Sequence, residues 1–107
     1  MSRRAAERLR DIAVACAAIH EYDQRADRDD TIVFDAIRAR LIEIGEAAKG
    51  LDAALLAREP EIPWNEITRM RDYLAHRYFD TTHAIVMSTA RNDIPRLFAA
   101  VARLRGA

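Results

Sequence analysis

Helix breakers are scarce in this chain: three glycines and three prolines are spread through 107 residues. A glycine inside a helix costs about 1 kcal/mol relative to alanine, and a proline about 3 kcal/mol. A chain so poor in both, and rich in Ala, Arg, Leu, Ile and Glu, is built for long helices rather than sheet. The apolar residues fall at the matching period. Leu9, Ile12, Cys16 and Ile19 lie three or four apart and predict a helix from about Arg3 to Tyr22. The polar stretch Asp23 to Asp30 reads as a loop, in which Asp29 or Asp30 can cap the next helix. Phe34, Ile37, Leu41, Ile44 and Ala48 form a second stripe from about Thr31 to Lys49, and Gly50 stands where a left-handed residue would stop it.

One glycine breaks this pattern. Gly45 lies inside the second helix, on a face shared with Ile42 and Lys49, and predicts a close approach by another helix that a side chain would block. A short helix is expected from about Asp52 to Arg58, then the rigid connector Glu59-Pro60-Glu61-Ile62-Pro63. A fourth helix begins near Trp64 and carries Ile67, Met70 and Leu74. Asp80 or Thr81 is expected to cap a fifth, from about Thr82 to Leu104. Pro95 should kink it, or break it and restart it with Asp93 near the new N-terminus. The expected fold is all-α: an antiparallel four- to five-helix bundle, one domain over residues 1–107.

Composition narrows the function classes. A single cysteine, Cys16, rules out an internal disulfide and a cysteine-based metal cluster; between Ala15 and Ala17 it reads as a small core residue. With no signal peptide and no membrane-length apolar run in view, the expected location is the cytoplasm, away from membranes. Seventeen Lys and Arg balance seventeen Asp and Glu. A nucleic-acid binder working through broad phosphate neutralisation is usually basic, so any hold on RNA must come from a local patch. Lys49 is the sole lysine among these cations, a bias in which genome composition weighs more than chemistry.

Most of the chain reads as core stripe or solvated face. Trp64 and Phe34 read as core, His20 and His83 as surface or capping residues, and Glu43 with Glu46 as a solvated or inter-subunit face. The segment from Trp64 to Asp80 holds more. On a helical wheel Trp64, Ile67, Met70 and Leu74 define its apolar face; Arg71 falls at the edge and Tyr78, seven residues on, along the same line. His76 points about 140° away from Arg71 on a continuous helix. For the two to act on one substrate, either the helix ends near His76 or they meet across a dimer.

Arginine presents five donors in a planar fork suited to phosphate, and histidine can give and take protons near pH 7. Together they suffice for metal-free RNA cleavage through the RNA 2′-hydroxyl, with the histidine as acid–base and the arginine stabilising charge on the phosphate. Arg69, Arg71 and Arg77 can supply the local patch. No cofactor or metal is expected, and three scattered histidines lack ligand spacing. An arginine at a core border also often pairs with carboxylates, and Asp72, Glu43 and Glu46 are available.

The run Arg71, four residues, His76-Arg77-Tyr78 resembles the R-x4-H-x-Y signature of HepT-like proteins, members of the HEPN superfamily (higher eukaryotes and prokaryotes nucleotide-binding). Ile44-Gly45-Glu46-Ala47, Pro63-Trp64, Ile67, Met70-Arg71-Asp72 and Asn92-Asp93-Ile94-Pro95 are similar to that family as well, and the likeness covers nearly the whole chain. The resemblance implies a HEPN-like homodimer whose two motifs face each other, with Arg71 and His76 as the catalytic pair of a metal-independent endoribonuclease and Asp72 as the polar residue that orients them. It further implies the toxin of a bacterial toxin–antitoxin pair. Its partner would be a minimal nucleotidyltransferase antitoxin that adds AMP to Tyr78. The alternative is a non-catalytic nucleotide-binding or regulatory subunit of that nucleotidyltransferase.

Overall fold

The two long apolar stripes become the two longest helices of the computed structural model, which describes residues 1–25, 31–76 and 83–106. Helix α1 spans Arg3–Arg25 and α2 spans Thr31–Lys49. Leu9, Ile12, Cys16 and Ile19 on α1, with Ile37, Leu41, Ile44 and Ala48 on α2, are all buried, so each stripe faces the other helix. Phe34 is half-buried against the same core.

Helix α1 runs past Tyr22, where the sequence predicted its end. The Tyr22 hydroxyl accepts hydrogen bonds from Arg40 Nε and Nη2 on α2 at 3.3 and 3.2 Å, which ties the last turns of α1 to its neighbour. Asp23, expected in the loop, belongs to α1. The expected caps Asp29, Asp30, Asp80 and Thr81 lie outside the described residues.

Helix α2 ends without a left-handed residue: Gly106, at φ 81°, is the positive-φ residue among those described, and Gly50 is not one. The last turn instead tightens, with Gly50 N–H reaching the Ala47 carbonyl (3.2 Å) and Leu51 N–H the Ala48 carbonyl (3.1 Å). Burial of Leu51 then turns the chain inward.

Helix α3 is a single turn, Ala53–Leu56, shorter than the Asp52-to-Arg58 helix expected: Asp52 caps its start, accepting from Ala54 N–H at 3.3 Å, and Ala57 ends it. Helix α4 spans Trp64–His76. The Trp64 indole N–H donates to the Leu56 and Glu59 carbonyls at 3.2 and 3.1 Å, fixing the start of α4 to the turn before it.

After α5, His83–Ser88, the chain widens into a π turn, Thr89–Asp93, before α6, Ile94–Leu104. Pro95, which lacks an N–H, follows directly on the π turn, whose bond from the Ile94 N–H to the Thr89 carbonyl widens the winding just before it. The break expected at Pro95 is therefore present as a local change of winding, with Asp93 at the N-cap position. Arg91 of the π turn pairs with Asp23 of α1 at 3.0 Å, and Arg103 of α6 with Glu59 at 2.6 Å.

Ile94, Leu97, Val101 and Leu104 bring α6 onto α1, completing an all-α bundle with no strand among the described residues. Helix α4 stands apart, packing chiefly on α2. No described helix is long and apolar enough to cross a membrane.

Candidate active site

The position of α4 is set by Gly45. A Cβ built there would stand 2.2 Å from Arg71 Cβ, and 3.1 Å from both Arg71 Cγ and the Ile67 carbonyl oxygen. The atoms in the way are backbone and the root of a side chain, which cannot swing aside, so only glycine admits this crossing. The close approach read from the sequence is present, and the residue laid across it is Arg71.

From that seat the Arg71 side chain reaches two carboxylates. Nε donates to Glu46 Oε2 on α2 at 2.6 Å, and Nη1 donates to Asp72 Oδ1 at 2.8 Å. Nη2 has no partner among the described residues. Both bonds join full charges and are correspondingly short. Asp72, then Glu46, raise the Arg71 pKa above its ordinary value. The hydrogen bond from Arg71 holds the Asp72 carboxyl below the usual range, and the charges of Lys49, Arg71 and His76 add to it.

His76 ends the described part of α4 and is exposed. Arg38 of α2 donates to the Leu74 carbonyl, which satisfies one of the free acceptors in the last turn and steadies the segment that carries His76. Helix α4 is continuous from Arg71 to its last described residue, His76, near which the sequence allowed a helix end, and residues 77–82 lie outside the described residues. On such a helix Asp72 and His76 lie about 40° apart and Arg71 about 100° before Asp72. Asp72 therefore stands between the two, bonded to one and within electrostatic range of the other.

Arg69 is exposed and lines a groove with Leu56, Pro63 and Trp64, turned away from Arg71 by its place on the helix. Arg77 and Tyr78 lie outside the described residues, as does the His83 side chain; His20 is exposed. Cys16 is buried, which pushes its thiol pKa up to about 12 and fits a core residue rather than a nucleophile. Among the described residues no group of three His, Cys, Asp or Glu side chains is placed to hold a metal ion.

Two contributors were not read as site residues from the sequence. Glu46 is not simply a solvated or inter-subunit acid, since it pairs with Arg71 within the chain, while Glu43 pairs with Arg40 at 3.0 Å. Lys49, one turn beyond, adds positive charge beside Asp72. The signal for both was Gly45: a helix crossing there brings the neighbouring positions of α2 onto the crossing helix. Glu46 also lines an open groove of about 930 Å³ between α1 and α2, with Arg4, Arg8, Glu7 and Asp11 along its sides. Arg71 and His76 do not line that groove.

Comparison with known proteins places this geometry in context. Residues 3–104 match the family described as HepT-like, "Ribonuclease HepT-like". A protein of Thermococcus cleftensis named "Probable ribonuclease HepT" is 37% identical over 110 residues, covering 98% of this chain and 99% of the relative. A protein named as an RNase from Caldanaerobacter subterraneus subsp. tengcongensis is 37% identical over 68 residues, 64% of this chain and 61% of the relative. Another so named, from Methanocaldococcus jannaschii, is 32% identical over 93 residues, 83% of this chain and 80% of the relative. No solved structure matches the chain.

Proposed function

This chain belongs to the HepT-like ribonuclease family, and from that premise we propose that it is an endoribonuclease that cuts RNA without a metal ion and works as a homodimer. The observation that carries this reading is the Arg71 guanidinium, held by Glu46 and Asp72 at Nε and Nη1 while Nη2 has no partner among the described residues. A planar cation fixed in this way is a ready ligand for phosphate.

The chemistry follows from the groups present. As the RNA 2′-oxygen bonds to phosphorus, an imidazole of His76 takes the hydroxyl proton. As the bond from phosphorus to the 5′-oxygen breaks, an imidazole supplies the proton that the leaving oxygen needs. Arg71 stabilises the charge that builds on the non-bridging oxygens. The products are a 2′,3′-cyclic phosphate and a 5′-hydroxyl. Because Arg71 and His76 diverge by about 140° on one unbroken helix, a second copy brings the two motifs to face each other about a two-fold axis. Arg69 and Arg77 supplement the contact with RNA, since the chain has no net charge to do so.

On the same reading the chain is the toxin of a toxin–antitoxin pair. The antitoxin, a minimal nucleotidyltransferase, transfers AMP from ATP to the Tyr78 hydroxyl, with pyrophosphate as the leaving group. The added phosphodiester brings bulk and negative charge into competition with RNA phosphate.

His76→Ala is expected to abolish RNA cleavage while leaving the helical circular dichroism and melting temperature near those of the wild type. Cleavage at the wild-type rate by that variant overturns the catalytic role. After co-expression with the nucleotidyltransferase, intact mass should rise by AMP additions that Tyr78→Phe removes.

A further inference from the structure

Glu46 takes no part in the reaction above, yet among the described residues it makes the one bond that ties the Arg71 head to another helix. Asp72 is the next residue along α4, so its hydrogen bond restrains the guanidinium relative to α4 but does not tie it to α2. The Glu46 carboxylate does, because it projects from α2 and meets Nε at 2.6 Å. Its neighbour Gly45 supplies the other half of the hold, since the root of Arg71 sits where a Cβ would be.

We propose that Gly45 and Glu46 form a seat for Arg71, with Glu46 as a positioning residue that sets the plane of the guanidinium and so aims Nη2 at the RNA phosphate. The inference rests on Arg71 serving the ribonuclease site proposed above. With Nε and Nη1 held, rotation about the last bonds of the side chain is restrained, and the side chain, 27% exposed, keeps Nη2 and one Nη1 hydrogen without a partner among the described residues. A donor already aimed at the developing charge needs no reorganisation during the reaction.

The same carboxylate has an opposing effect. Its side chain is 61% exposed, and a negative charge beside Arg71 repels an approaching phosphodiester. Glu46 therefore improves the geometry of the transition state at the expense of RNA affinity. That opposition gives it a kinetic signature that a merely structural residue lacks.

The test is steady-state cleavage of one RNA oligonucleotide at low salt by wild type, Glu46→Gln, Glu46→Ala and Arg71→Ala. Glu46→Ala should lower kcat about tenfold or more, since small misplacements of a catalytic group carry penalties of that order or larger, and should lower KM as well. Glu46→Gln keeps an oxygen acceptor for Nε–H but loses the charge. It should share the lower KM and hold kcat within about threefold of wild type.

Wild-type kcat in Glu46→Ala, with Arg71→Ala inactive, overturns the positioning role and leaves the ribonuclease reading standing. Wild-type cleavage by Arg71→Ala removes that reading instead. Should Glu46→Ala fail to fold, Glu46→Gln decides: a KM equal to wild type, or a kcat reduced tenfold, overturns the proposal.

Discussion

Helices α1 and α4 carry apolar stripes of the same kind and meet different fates. On α1, Leu9, Ile12, Cys16 and Ile19 are all sealed, because α2 covers one side of the helix and α6 the other. On α4, Trp64 and Leu74 are buried but Ile67 and Met70 are half-covered, because α2 is its chief neighbour. The stability of the fold thus resides in α1, α2 and α6. The proposed chemistry resides on the helix that contributes least to the core among α1, α2, α4 and α6, and it is held by particular contacts: the Trp64 indole at one end, Arg38 at the other, and the Gly45–Arg71 crossing between them. A helix at the margin can present an arginine and a histidine to a large substrate. A helix in the centre cannot.

The contrast can be broken by mutation. Leu9→Ala should have the largest effect, about 3 kcal/mol lost in urea unfolding, as for a fully buried leucine. Met70→Ala, on the half-covered stripe, should lose clearly less. Equal losses would mean that α4 is as integral to the core as α1.

Next come Gly45 of α2 and Gly50, the residue that follows the helix. Gly45→Ala forces a methyl against the Arg71 root and the Ile67 carbonyl and should cost about 1–3 kcal/mol, as overpacking does, with a loss of RNA cleavage as Arg71 is displaced. Gly50→Ala meets only the far end of the Arg8 side chain, which can move aside. Its stability and cleavage should stay near wild type. A harmless Gly45→Ala would remove the crossing from the account.

The smallest effect concerns the Arg103–Glu59 pair that joins α6 to the connector before α4. The hydrogen bond from Arg103 holds the Glu59 carboxyl below its ordinary value. A carboxyl so held stabilises the fold above its ordinary pKa and loses that contribution as pH falls through the lowered value. Glu59→Gln should therefore melt slightly below wild type at pH 7, and the gap should close below about pH 4. A gap independent of pH would show that the charge of the pair contributes nothing.

The helices and their cores were legible in the sequence because period and burial are local properties. Leu9 through Ile19 and Ile37 through Ala48 face inward as their spacing requires. Gly45 was legible for a related reason, since a costly glycine inside a helix needs a tertiary cause. Its partner was not, because nothing in the residues around Gly45 says which helix crosses it. Glu46 lies 25 residues from Arg71, and no periodicity connects them. The left-handed stop expected at Gly50 failed because packing of Leu51 allowed a tightened turn to end the helix instead. Residue identity at the motif pointed to the chemistry and to Asp72, Glu43 and Glu46 as available carboxylates, while only the laying of α4 on α2 selected Glu46 over Glu43.

The most direct measurement is the chemistry of the ends left on cleaved RNA. Wild-type protein in excess EDTA should produce 2′,3′-cyclic phosphate and 5′-hydroxyl ends, and His76→Ala should produce none. Fragments ending in 3′-hydroxyl and 5′-phosphate, or cleavage that ceases in EDTA, would contradict an arginine and a histidine acting on the RNA's own 2′-oxygen.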